Sequence, residues 1–381
     1  MRLLILAAAL AAGTTVAQAA LEVKPVKVPF DGNPSTPSVV ADPAGGFVVS
    51  WTDKKTSSLN FATWRDGRWF QPRTIVATKQ LVISNATFPS VAEAPGGWLF
   101  AAWQEKSGSH GRQLRLARSS NGGATWSAPL MPHPDLVSEF GFASLVGRKD
   151  GQFYAVWLDG RGLEGGMEGK GDMQLHLATV DAKGKATDTL LDPRICDCCQ
   201  TGMAMTDVGP IIAYRDRSAN EIRDISVVRW TGTAWSEPKS VHADNWEIRG
   251  CPVNGPQLDA RGKDVVIAWF TGSQGKPRVN AAFSSDGGAT WSTPVRVDVG
   301  ETTTGHVDVG LLADGSAVVT WTEGKELFAR RLTRRAAASP PISVAKEVMG
   351  APRMAISNDN VAVAWSTDKS IEMATLKVVN P

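Results

Sequence analysis

Short apolar runs that end on an aromatic ring recur along the whole chain. They are Val48–Trp51, Phe100–Trp103, Tyr154–Trp157, Ile211–Tyr214, Val266–Trp269, Val318–Trp321 and Ala362–Trp365. Their closing rings are spaced 52, 54, 57, 55, 52 and 44 residues apart. Each run is too short for a helix and lies between turn residues, so each reads as a buried strand. Within a unit one order returns: a short strand such as Pro89–Ala92, a glycine turn, the aromatic-ending strand, a polar loop, a third strand, and a last strand after a Trp-bearing turn. A period near 50 residues made of four short strands predicts an all-β propeller, in which each blade is a small antiparallel sheet packed on its neighbours. Seven signatures predict seven four-stranded blades, with six as the alternative if one signature belongs to an insertion.

The last unit has room for three strands, Arg353–Ile356, Val361–Trp365 and Ile371–Leu376, while Leu21–Val28 precedes the first unit. The N-terminal segment is therefore expected to complete the last blade and close the ring, which removes exposed sheet edges. Residues 1–19 read differently: a positive start at Arg2, an apolar run from Leu3 to Ala12 and the small-residue site Ala17-Gln18-Ala19. This is the pattern of an export signal, with 20–381 as one propeller domain in the periplasm or outside the cell. No later stretch reaches the roughly 20 apolar residues of a spanning helix, so no membrane insertion is expected. The 40 Lys+Arg against 38 Asp+Glu leave a net charge of +2, which gives no electrostatic footprint for nucleic acid.

Two turns share a tighter pattern. Ser284-Ser285-Asp286-Gly287-Gly288-Ala289-Thr290-Trp291 reads Ser-x-Asp-x-Gly-x-Thr-Trp, and Ser119-Ser120-Asn121-Gly122-Gly123-Ala124-Thr125-Trp126 repeats it with Asn for Asp. The Asp or Asn folds back on turn amides, glycine accepts positive φ, and the Trp plugs between strands. Degenerate copies stand at Asp66-Gly67-Arg68-Trp69 and Thr231-Gly232-Thr233-Ala234-Trp235. Here the chain resembles the sialidase (BNR, or Asp-box) repeat superfamily. That resemblance implies the propeller fold, with the boxes joining the two outer strands of a blade on the face opposite the active site. Sialidases use an arginine triad, a Tyr/Glu nucleophile pair, an aspartic acid donor and an early Arg-Ile-Pro motif. This chain lacks Arg-Ile-Pro, the nearest text being Arg194-Ile195-Cys196. It has two tyrosines, Tyr154 and Tyr214, both within strand signatures. Fold alone does not carry the activity across.

Candidate chemistry gathers on one face, formed by the loops entering each innermost strand and leaving each second strand. Cys196, Cys198 and Cys199 precede the inner strand of unit four and Cys251 precedes that of unit five, so neighbouring blades bring them together. An oxidising compartment favours disulfides. Adjacent Cα atoms are about 3.8 Å apart, below the usual disulfide range, so Cys251 pairs most comfortably with one cluster member. Two thiols are then left for a second bridge, redox chemistry or a metal. Soft thiolates suit copper or zinc, with His306, His242 or His133 as completing ligands.

A second reading concerns a small-molecule or sugar-like anionic ligand. Arg161, Arg215 and Arg217 are candidates to hold a carboxylate, and Asp159 and Asp216 to act as acid or base. Glu139, Asn254, His306 and Asp308 are the candidate contacts around them. The expectation is thus an exported propeller binding such a ligand at a cysteine-containing site. A glycosidase of exo-sialidase type and a metal or thiol/redox protein stand as alternatives.

Overall fold

The computed structural model describes residues 20–86, 89–164, 170–335 and 337–379. Seven antiparallel sheets stand in chain order around a central axis. Their innermost strands are Pro34–Ala41, Ser90–Ala94, Phe140–Gly147, Gly202–Met205, Gln257–Arg261, Thr303–Leu311 and Met349–Ser357. The aromatic-ending runs form the second strand of every blade. Their rings are the largest side chains of the core, from Trp157 and Trp321 at 0% exposure to Trp365 at 7%. Packing lies between neighbouring blades: Trp321, for example, sits with Val266, Phe270 and Val307, and Trp103 with Val48, Phe61 and Val91. The residues left out include 1–19, so the expected signal lies outside the described residues, as does the middle of the glycine-rich loop after Asp159.

Two blades depart from four plain strands. In blade two the outer strand shrinks to a single bridge, Leu116 with Leu130, and in blade one it is split into Arg68–Trp69 and Arg73–Ala77. Blade seven is completed by the start of the chain. Ala20–Val26 pairs antiparallel with Ile371–Val379, and Ala20 lies opposite Val379. The ring is closed as the sequence predicted.

Both box turns join the third strand to the outer edge. Ser284 Oγ donates to Asp286 Oδ1 at 2.7 Å and accepts the Gly288 amide at 2.9 Å, while Asp286 accepts the Thr290 amide at 2.9 Å. Asn121 does the same for Thr125 at 3.0 Å. Gly288 needs its positive φ of 82°, and any Cβ there would strike Ile211. Trp291 and Trp126 pack against the blade cores.

On the opposite face the second strands end in a repeated device that the alternation of residues does not reveal. The indole N–H of Trp103 donates to Glu105 at 3.0 Å, that of Trp157 to Asp159 at 2.8 Å and that of Trp321 to Glu323 at 2.8 Å. Trp269 uses Asp244 at 2.6 Å, and the Tyr214 hydroxyl uses Asp192 at 2.6 Å. A buried N–H or O–H left without a partner is costly, so these carboxylates are part of the blade framework.

Candidate thiol centre at the junction of blades four and five

The connection from blade three into blade four carries Cys196, Cys198 and Cys199 to the mouth of the channel. Its backbone is tied by Cys196 N–H donating to Arg215 C=O at 3.1 Å. Cys198 is bonded to Cys251 across to the loop that enters blade five, with Cα atoms 6.0 Å apart. Cys196 and Cys199 are free thiols, each under 3% exposed, with sulfurs 3.4 Å apart. The ligand atoms of Cys196, Cys198 and Cys199 all lie within 4.8 Å of one another, and Phe142 and Val253 pack over them. Gly255 makes the approach of the two loops feasible, since a Cβ there would collide with the Gln200 backbone.

Electrostatics separate the two thiols. Cys199 donates toward Cys196, and the guanidiniums of Arg215 and Arg223 lie close by, Arg223 Nη1 at 3.4 Å from the Cys196 sulfur. These effects hold the Cys196 thiol well below its ordinary value, whereas burial and the neighbouring thiolate push Cys199 up. The two shifts run in opposite directions, which favours Cys196 as the acceptor in their 3.4 Å contact. Within the run Cys-x-Cys-Cys, Cys196 and Cys199 stand at C-x-x-C spacing, the sequence signal that singles out this pair.

Arg215 is 2% exposed and serves as a bracket. Its Nε and Nη2 donate to Asn254 C=O at 3.0 and 2.8 Å, Nη1 to Arg223 C=O at 2.7 Å and Nη2 to Phe270 C=O at 2.7 Å. Its guanidinium lies 4.8 Å from the Trp246 ring centre. Arg161 is engaged by Asp159 and Asp188, and Arg217 by Glu221 and Asp197. Each of the three arginines is thus engaged by groups of the protein, Arg215 across the junction to blade five and Arg161 and Arg217 within their own blades. Asp159 is wholly buried between Trp157 and Arg161, and Asp216 accepts from the Arg217 amide and the Ser226 hydroxyl.

The remaining candidates are also built into the mouth. Asn254 donates to Pro252 and Thr304 carbonyls and accepts the His306 amide at 2.7 Å, which ties blade five to blade six. Asp308 is buried, accepts the Met354 and Val309 amides and faces Arg353 at 3.5 Å. Glu139 lies half-buried with Arg112 at 3.6 Å, and burial raises its pKa. His306 is half-buried, and no histidine joins the cysteine cluster among the described residues. His133 stacks on Phe140 and its Nε2 accepts the Leu114 amide, while His242 faces Asp244. Tyr214 is buried on Asp192, and burial with the nearby carboxylates pushes its phenol far up.

The sequence also gave no hint of a strained ring at the mouth. Thr36, Phe142 and His306, near the start of the inner strands of blades one, three and six, and Val253, just before that of blade five, have φ of 49–55°. That region is disfavoured for such side chains, above all for β-branched Thr36 and Val253. Register shifts follow at Ser35/Ser38, Gly141/Ser144 and Gly305/Asp308. Below, Arg353 reaches Gln257 at 3.0 Å and Ser144 reaches the Thr201 carbonyl at 2.7 Å, so polar side chains fill the channel.

Ring closure and box turns together define a seven-bladed β-propeller. No family model and no curated protein matches the sequence. Among solved structures, the polysaccharide lyase Uly1 is similar with a TM-score of 0.54 at 10% identity, covering 92% of this chain and 91% of that one. An α-L-arabinanase of Penicillium chrysogenum, complexed with arabinobiose, gives 0.51 at 10% identity over 77% and 94%. The NanB sialidase of Streptococcus pneumoniae gives 0.46 at 11% identity over 95% and 92%. At these identities the likeness is one of fold. Among the described residues no helix is long and apolar enough to cross a membrane.

Proposed function

We propose that this is an exported propeller whose working part is a soft-metal thiol centre at Cys196, Cys198, Cys199 and Cys251, taking copper(I) or zinc. The observation that carries the reading is the convergence of three cysteine sulfurs within 4.8 Å. Metal–sulfur bonds of about 2.3 Å place the sulfurs of a tetrahedral site about 3.8 Å apart; the Cys196 and Cys199 sulfurs stand 3.4 Å apart and the three of the cluster lie within 4.8 Å. Buried, soft donors with two guanidiniums beside them suit a thiolate-bound cation, because the arginines offset the excess negative charge. With Cys198 bonded to Cys251, two thiols are available; a thiol reductant that opens the bridge supplies four. Reversible closure of Cys196 to Cys199 by thiol–disulfide exchange, in which a partner disulfide takes up the two electrons and two protons and leaves as two thiols, is the second reading, favoured by their 3.4 Å contact. Export rests on residues 1–19 and accords with the disulfide.

The deciding experiment is metal analysis with a free-thiol count on the exported protein, before and after reconstitution with copper(I) or zinc. Stoichiometric metal lost in a Cys196→Ser/Cys199→Ser variant supports the metal centre. Two disulfides and no metal uptake, even after reduction, would overturn it and leave the reversible disulfide.

A further inference from the structure

Two clefts flank the loop that leaves the second strand of blade one, far in sequence from the cysteines. On the blade-two side lies a groove of about 630 Å³ lined by Lys54, Lys79, Lys106, Arg112 and His110, with no Asp or Glu in its wall. The three lysines are exposed and none has an ion pair among the described residues; Arg112 alone has Glu139. On the other side lies a cleft of about 590 Å³ whose wall includes Phe30, Trp51, Trp69 and Phe70. Phe30 stacks on Trp51 at 3.7 Å and meets Trp69 edge-on, while Phe70 is 53% exposed. The shared wall is the segment 54–58: Lys54 and Ser57 face the cationic groove, Thr56 and Ser58 the aromatic cleft.

That wall is preformed. Asp53 accepts the Lys55 and Thr56 amides at 2.7 and 3.0 Å, and the Lys54 amide donates to the Asn33 carbonyl at 3.1 Å. A net charge of only +2 over the whole chain makes this unpaired concentration of positive charge a local feature.

We infer that the paired clefts bind an acidic glycan, with uronate or sulfate groups along the lysines and a sugar face against the exposed aromatic surface. Unpaired cations in a concave wall concentrate field and attract a polyanion. Single-stranded nucleic acid fits less well. Its bases stack on aromatic rings beside the phosphate track, but the cationic groove holds no Phe, Tyr or Trp, and the aromatic cleft also presents Asp31 and Asp53. Those carboxylates accept sugar hydroxyls and keep any anion out of the aromatic cleft, so the charged groups of the glycan lie along the lysines while its sugar face meets the rings. The site is separate from the cysteines and stands whether or not they bind metal.

The test is titration of the full chain with labelled oligogalacturonate, sulfated dextran fragments, neutral dextran and oligo-dT, at low and raised salt. The expected result is binding of at least one acidic glycan, weakened by salt and tighter than oligo-dT, with none of neutral dextran. The two acidic arms distinguish uronate from sulfate. Lys54→Ala/Lys79→Ala/Lys106→Ala should weaken binding about tenfold while the thermal midpoint stays put, as expected for three exposed ionic contacts. Phe70→Ala should weaken it severalfold at unchanged salt dependence. Equal affinity for oligo-dT, or full affinity in the triple lysine variant, would overturn the proposal. Full affinity in Phe70→Ala would overturn its extension across the 54–58 wall.

Discussion

Replacing Arg215 by alanine distinguishes a structural bracket from a ligand clamp. The guanidinium makes four hydrogen bonds to the carbonyls of Asn254, Arg223 and Phe270 and lies against Trp246. Each carbonyl loses a charged donor, at about 1.5 kcal/mol or more apiece, and the ring contact contributes about 1 kcal/mol. Water entering the vacated space returns part of this. The expected loss is about 5 kcal/mol, in the range reserved for broken buried networks. Arg215→Lys should recover little, because an ammonium keeps the charge but not the fork that spans three acceptors. Guanidinium denaturation followed by tryptophan fluorescence measures both variants. A loss below about 1 kcal/mol in Arg215→Ala would refute the bracket and return Arg215 to the ligand-binding candidates.

Cys251→Ser removes a cross-link that spans 53 residues, for which loop-closure entropy gives a destabilisation of about 4 kcal/mol; unchanged chemical stability would contradict it. Arg223→Gln takes a cation from the Cys196 sulfur. The thiolate absorbance of the reduced protein should then appear at higher pH than in the parent, and an unmoved titration would show that Arg223 does not set the thiolate. Glu93 is pushed up to about 8, first by burial and then by Asp42, and its Oε2 has no hydrogen-bond partner. Its folded pKa is raised, so the protonated acid is favoured: this stability is present below the ordinary value and is lost as pH rises through about 8. Glu93→Gln should therefore stabilise the chain by up to about 2 kcal/mol above about pH 8 and be neutral near about pH 4. Thermal melts at the two pH values check the sign.

The blades were legible because their signal is local. Trp51, Trp103, Trp157, Tyr214, Trp269, Trp321 and Trp365 sit at one position of one strand type, so hydrophobic periodicity reports the repeat directly. Closure by the N-terminal strand followed from counting strands in the last unit. The site was legible only as a neighbourhood. Loop position placed the four cysteines together, but the bonding of Cys198 with Cys251 depends on three-dimensional side-chain directions. Arg215 and Asp159 looked like ligand groups because charged loop residues usually face solvent; here one satisfies stranded carbonyls and the other an indole. The left-handed residues at the mouth escaped notice because threonine, phenylalanine and valine carry no turn signal.

Pairing of the first described strand with the last has a consequence for the order of assembly. Residues 20–26 are made long before their partner strand, which ends at Val379. Until that strand is made, six blades can condense while the seventh has only an unpaired edge and the amino-terminal segment has nowhere to dock. A carrier that keeps the early segment extended until the whole chain is available would therefore cost the molecule little, and crossing a membrane before folding is compatible with this topology.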